Sequence, residues 1–245
     1  MFDFQFISII IILGFSLAAW TADLLKIGYG KHLSHYMKLT LPPKIGWILY
    51  ECPNLIWFVY FLSDIRFDIN RLPILLFVTH YFNRVIIYPL RLSPLARPIP
   101  IEVVASAILF TTCNGYIQIS THLNRDLQFQ FNDYLRILVG ILIFIYGMTS
   151  NIKCDNILRS LKKENSNEYK IPHGNLFELV SSGHYLGEII EWFGYFLVSG
   201  QWSGFLFFFS TLSILSARAI STHKWYKNKF DNYPKKRKAI IPFIL

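Results

Sequence analysis

Two residues in the first third of the chain have the chemistry to polarise a carbonyl. Glu51 and Tyr81 each sit inside a long apolar run, with Asn54 one turn beyond the first and Arg84 one turn beyond the second. A carboxyl kept neutral in an apolar interior and a phenol both donate hydrogen bonds. Two donors meeting at one oxygen stabilise the negative charge that develops there, as an oxyanion hole does. Spacing alone also fits a packed tyrosine and a carboxyl hydrogen-bonded to a neighbouring helix.

Three further sets of polar residues fall at helical spacing and so share a helix face. His184, Glu188 and Glu191 form one stripe, with Trp192 beside it. Asn151, Asp155, Arg159 and Lys162 form a second, and Arg218, Thr222 and Tyr226 a third. The cations of the last two stripes lie near the ends of apolar runs, where they can grip an anionic ligand or extend their stems into the interface. The phosphate-loop pattern, the dinucleotide-binding glycine pattern and the H-E-x-x-H zinc pattern are absent, and Gly28-Tyr29-Gly30 is only a fragment of the second. His32 and His35 lie in a basic loop and read as a solvated pair. Cys52, Cys113 and Cys154 show no C-x-x-C spacing, so no metal site and no disulfide framework is expected.

The elements that must hold these groups are membrane helices. Of 245 residues, 53% are hydrophobic and 16% charged, against roughly 25% charged in an average soluble domain. Seven apolar runs, at about 4–25, 45–63, 72–90, 99–123, 134–157, 176–199 and 203–223, each approach the ~20 residues that cross a bilayer. The chain therefore reads as one all-α integral membrane domain over 1–245, without internal repeats. Glu51, His80, Arg84, Asn114, Gln118, His184, Glu188, Glu191 and Arg218 lie within five of the runs. Ionisable groups at that depth face the bundle interior or a wet cavity, so the sequence predicts a polar cavity inside the bundle.

Charge placement sets the expected orientation. Only Asp3 is charged ahead of the first run, which reads as an uncleaved span with its N-terminus outside, in the lumen or periplasm. The segments then inside, 26–44, 91–98, 151–175 and 224–245, carry four, two, five and seven of the 24 Lys and Arg, against Arg66, Arg71 and Arg125 in the outer loops. That asymmetry obeys the positive-inside rule and places the C-terminus in the cytosol. It also accounts for the net charge of +9 without nucleic acid.

The motifs carry a resemblance. Gly187–Tyr195 reads GEIIEWFGY, and His223–Leu245 reads HKWYKNKFDNYPKKRKAIIPFIL. Both are similar to the C-terminal region of the steroid 5α-reductases, and that signature region runs from about 100 to 245. NIKCDNILRSLK at 151–162 and YKIPHGNLFE at 169–178 resemble two more family segments. YGKH at 29–32, Glu51-Cys52-Pro53 and HYFNR at 80–84 match shorter ones. His184 stands where the vertebrate enzymes have Asn, and Ser182-Gly183-His184-Tyr185 is partly similar to the related polyprenol reductases.

The resemblance implies a seven-helix membrane oxidoreductase that reduces the Δ4 double bond of a 3-oxo steroid with NADPH, by hydride transfer to the enone β-carbon. It implies that Glu51 and Tyr81 hold the C3 carbonyl, to which Asn54 and Arg84, one turn from each, are added at the substrate end. It places Asn114, Asn151, Asp155, Arg159, Tyr169, His184, Glu188, Arg218, His223 and Tyr226 along the NADPH site, to which Lys162 and Trp192 are added from the stripes. The implied location is the endoplasmic reticulum in a eukaryote or the inner membrane in a bacterium, and a monomer is compatible with it. The rivals are a reductase of a polyprenol or an enoyl thioester, and a seven-span transporter or receptor, which leaves the tail motif unexplained.

Overall fold

The computed structural model describes residues 2–21, 39–66, 68–93, 95–123, 125–161 and 169–245. Within them the chain is almost entirely helical: α1 (Phe2–Ala18), α2 (Pro43–Tyr60), α3 (Leu72–Phe82), α4 (Tyr88–Arg91), α5 (Ile101–Leu123), α6 (Phe131–Leu161), α7 (Gly183–Ser199) and α8 (Trp202–Lys229). A π-helical turn, Asn83–Ile87, joins α3 to α4 without a break. A two-residue antiparallel ladder pairs β1 (Thr40–Leu41) with β2 (Ile99–Pro100) and sets the starts of α2 and α5 side by side. Among the described residues, α5, α6 and α8 are long and apolar enough to cross a bilayer; Phe4–Ala18 is apolar but shorter.

Two of the expected runs end elsewhere than composition suggests. The last four residues of 4–25 lie outside the described residues, and α1 stops at Ala18. The run 176–199 begins as a loop: Gly174 and Asn175 take positive φ, Asn175–Glu178 forms a 3₁₀ turn, and the helix starts only at Gly183. Leu176, Phe177 and Val180 are apolar because they pack under this loop, in a cluster with Cys154, Leu186 and Ile240. In the other direction, α6 and α8 run past the expected 157 and 223. At ~1.5 Å per residue each is longer than a ~30 Å hydrocarbon core. Their excess turns carry Arg159 and Tyr226 of the polar stripes.

The closest helix contact is backbone on backbone. α6 and α7 are antiparallel, and Gly140 and Gly147 on one face Gly194 and Gly187 on the other. A Cβ on Gly140 would stand 2.8 Å from Val198 Cγ2 and 2.9 Å from Gly194 O; one on Gly187 would stand 2.6 Å from Asn151 N. Both pairs are seven residues apart, two helical turns, so the small residues recur on one face and let the helices meet with no side chain between. Around this seam Trp192, Tyr195, Phe77, Phe144 and Phe207 form the central core.

Arginines close the end of the bundle opposite the stripes. Helix C-termini leave carbonyls without partners. Arg71, almost fully buried, donates from Nε and Nη2 to Leu123 O, the last carbonyl of α5, at 3.1 and 2.7 Å, while its Nη1 meets Asp68. Arg125 donates to Ser199 O at 2.5 Å, and Arg136 donates to Leu197 O, so two cations cap α7. Positive charge at a helix C-terminus also suits the helix dipole. Inward of this cap lies a buried polar network. Gln118 donates to Asn114 and to Ser203 O, Tyr195 donates to Gln118, and His122 bonds both Gln118 O and Ser199 Oγ.

At the other end the C-terminal tail folds back over the loop before α7. Val180 pairs with Lys238 in a parallel bridge, Ser181 N donates to Lys238 O at 2.7 Å, and Ile240 is fully buried. Arg237 is buried and donates to Pro172 O at 3.0 Å. The Gly174 amide donates to the Glu178 carboxylate at 2.5 Å and holds that carboxyl below its usual range, leaving it ionised opposite Arg237.

The glycine seam yields a prediction. Gly194→Ala should destabilise the folded protein by about 1–3 kcal/mol through overpacking, despite the higher helix propensity of Ala. Gly14→Ala, where the added Cβ meets nothing within 4 Å, should leave stability unchanged or raise it. Thermal melting in mild detergent compares the two; an unshifted Gly194→Ala midpoint contradicts the close-contact reading.

Candidate active site

The position of Glu51 follows from Pro53. Proline inside α2 removes the amide that would bond the carbonyl four residues earlier, Leu49 O. That carbonyl is met instead by the Cys52 thiol at 3.4 Å, and the neighbouring Tyr50 O accepts from Thr111 Oγ1 of α5 at 2.7 Å. The distorted turn that holds Glu51 is thus tied to α5. A related device sits across the bundle, where Pro89 follows the π turn. The wider turn accommodates the missing donor, and Arg84 within it is buried.

Arg84 is buried between two rings, its guanidinium carbon 4.6 Å from the centre of Trp47 and 4.7 Å from that of Tyr88. Its Nη1 donates to Asp155 Oδ2 at 3.2 Å, and its Nε lies 3.9 Å from Glu51 Oε1. One cation therefore joins a carboxylate of α6 to the carboxyl of α2, with aromatic faces replacing water on both sides.

Glu51, Tyr88 and Asp155 of this cluster line a cavity of about 760 Å³ that also reaches the ends of α6 and α8. Its inner part is lined by Glu51, His80, Tyr81, Glu188 and Phe207, with an apolar side formed by Phe15, Val103, Ala107 and Phe110. Its outer part is lined by Asp155, Arg159, Tyr169, Lys170, Arg218 and Tyr226, with Arg91 at the end of α4 and Arg97 from the segment after it. The apolar stretch suits a rigid hydrocarbon body, and the cationic stretch suits an anion such as a phosphate.

Of the residues singled out from the sequence, Glu51, Tyr81, Asp155, Arg159, Tyr169, His184, Glu188, Arg218 and Tyr226 line this one cavity. Arg84 stands behind Glu51 and Asp155. Asn151 donates to His184 O at 2.9 Å and reaches Glu188 Oε2 at 3.5 Å, behind the wall they form. Asn54 packs on Gly115 of α5, and Asn114 joins the Gln118 network; both are fully buried away from the cavity. Trp192 is fully buried in the central core, and His223 bonds Ser181 Oγ at 2.6 Å under the tail. Lys162, like the YGKH motif, lies outside the described residues.

The cavity also contains groups that periodicity did not single out. His80 lines it, and its Nδ1 lies 2.8 Å from Glu191 Oε1 on α7. The two are 111 residues apart, so no local pattern links them, although Glu191 falls in a polar stripe and each is an ionisable residue inside an apolar run. Lys170, Arg91 and Arg97 belong to loops and a four-residue helix, where helical spacing carries no information.

The chain matches known proteins along most of its length. Residues 97–245 match the family model described as 3-oxo-5-alpha-steroid 4-dehydrogenase. The steroid 5-alpha-reductase DET2 of Gossypium hirsutum is 43% identical over 230 residues, covering 90% of this chain and 89% of its own. The protein of the same name from Arabidopsis thaliana is 43% identical over 239 residues, covering 91% of each. The 3-oxo-5-alpha-steroid 4-dehydrogenase 1 of Homo sapiens is 39% identical over 224 residues, covering 88% of this chain and 85% of its own. On these matches the chain belongs to the 3-oxo-5-alpha-steroid 4-dehydrogenase family and is an oxidoreductase of that type.

Proposed function

We propose that this chain is a seven-span membrane enzyme that reduces the Δ4 double bond of a 3-oxo-Δ4 steroid with NADPH. The observation that carries the reading is one cavity that holds the Glu51–Tyr81 pair and a cationic stretch together. The names of the relatives support a steroid substrate. Arg159, Lys170 and Arg218, with Tyr169 and Tyr226, suit the phosphates and polar edges of a dinucleotide entering from the cytosolic side. When bound, NADPH supplies the hydride.

Glu51 and Tyr81 donate to the C3 oxygen of the substrate. This draws electron density from the enone, makes C5 electrophilic and stabilises the enolate oxygen that develops. Arg84 holds Glu51 at a fixed place through their 3.9 Å contact and, by its bond to Asp155, fixes α2 and α3–α4 against the nucleotide side. The apolar side of the cavity excludes water from the reacting carbons.

For the spans, we read α1, α2, the continuous α3–α4 unit, α5, α6, α7 and α8 as crossing the bilayer, with the N-terminus outside. The concentration of Lys and Arg in the four segments that this orientation puts inside supports it. A glycosylation acceptor inserted at 126–130 should be modified in microsomes, and one inserted at 231–232 should not. The reverse pattern overturns the orientation.

Two kinetic outcomes test the chemistry. Glu51→Gln keeps the side-chain shape but weakens polarisation, so kcat/KM for a 3-oxo-Δ4 steroid should fall on the order of 100-fold. NADPH affinity should stay within about threefold. Adding Tyr81→Phe should cost much less than the product of the two single effects, because both act on one oxygen. Strict multiplicativity places them at separate sites. Second, NADPH should be preferred to NADH by at least about tenfold in kcat/KM, equivalent to ~1.4 kcal/mol. Equal efficiency with both rules out the cationic stretch as a 2′-phosphate site.

A further inference from the structure

Reduction of an enone adds a hydride to one carbon and a proton to the next. Glu51 and Tyr81 are committed to the oxygen, so the proton needs another source. Beside Tyr81, on the same wall, is His80. Its ring lies 4.5 Å from that of Trp192 and 5.0 Å from that of Tyr81, which fixes its plane, and its Nδ1 is taken by Glu191 at 2.8 Å. Since His80 lines the cavity, Nε2 is the ring nitrogen left for a ligand there.

The surroundings of Glu191 decide which atom holds the proton. Glu191 is fully buried, and its Oε2 has no partner. As a carboxylate it would leave half of its charge without a donor, at the cost of a buried unpaired anion. As a carboxylic acid donating from Oε1 to Nδ1 it leaves only a neutral carbonyl oxygen. The pair is then Glu191 O–H···Nδ1, and the imidazole proton sits on Nε2, toward the cavity.

We propose that His80 is the proton donor to the substrate α-carbon, C4, and that Glu191 is its positioning partner and proton relay; this rests on the function proposed above. After hydride reaches C5, the enolate electron pair forms the C4–H bond with the proton of His80 Nε2, and the Nε2–H bond breaks. Nδ1 takes the Glu191 proton, so His80 stays neutral and Glu191 becomes a carboxylate. The oxygen held by Glu51 and Tyr81 returns to a carbonyl. Cavity water restores the proton to the pair after product leaves. The net addition is one hydride and one proton.

The reverse of this step gives a test that needs no nucleotide. By microscopic reversibility, the group that protonates C4 also removes a C4 proton from the reduced ketone. Purified protein in detergent and D₂O is incubated with a 5α-reduced 3-oxo steroid, and deuterium at C4 and C2 is followed by NMR. Wild type should speed exchange at C4 over C2. His80→Gln and Glu191→Gln should each lower the C4 rate on the order of 100-fold. In both, steroid affinity should stay within about threefold of wild type. Glu191→Gln keeps a hydrogen bond to Nδ1 but cannot relay a proton, so it separates relay from packing if His80→Gln fails to fold. Undiminished exchange in either folded variant overturns the assignment. So does a wild type that binds the steroid without catalysing exchange. A wild type that binds no 3-oxo steroid overturns the proposed function itself.

Discussion

A guanidinium inside a low-dielectric bundle must be matched by charge and hydrogen bonds, and much of this protein is arranged around Arg84. Removing one partner of a buried ion pair costs about 3–5 kcal/mol, far more than a surface pair contributes. Arg84 meets this constraint with Asp155 from α6, Glu51 from α2, and the rings of Trp47 and Tyr88. Three separate stretches of chain must therefore converge before the charge is tolerable. The π turn that carries Arg84 and the proline-containing turn beside Glu51 both lie at that convergence. The same contacts bring the carboxyl of α2 and the polar stripe of α6 into one cavity.

Much of this was legible in the sequence, for identifiable reasons. Long apolar runs interrupted by ionisable residues mark membrane helices around a polar interior, and a period of 3.6 groups Asp155 with Arg159 and His184 with Glu188. Those residues do line the cavity. Periodicity gives a face, however, and cannot say which neighbour that face meets. Asn54 and Glu51 are one turn apart, yet Asn54 points at Gly115 while Glu51 reaches the cavity. Trp192 sits next to a polar stripe and belongs to the core, because α7 is enclosed by α3, α6 and α8.

The start of α7 departs from its composition for a different reason. Leu176, Phe177 and Val180 are as apolar as any span, but the tail pairs with this segment and supplies its backbone bonds from residues more than fifty positions later. The His80–Glu191 pair is equally remote in sequence. In each case the deciding contact is long-range, and the composition of either partner alone suggests a blander role.

The glycine seam has a consequence for how a bulky ligand enters. Helices in direct backbone contact cannot slide or part by small side-chain rotations, because any shift brings main chain into main chain. α6 and α7 therefore behave as a single rigid slab carrying Asp155, Arg159, His184 and Glu188. Where α1 and α5 border the cavity, by contrast, Phe15 and Phe110 stand edge to face, 5.8 Å apart, and meet through side chains that can change rotamer. The cavity thus has one wall that keeps the charged groups in register and another whose side chains can adjust to the ligand.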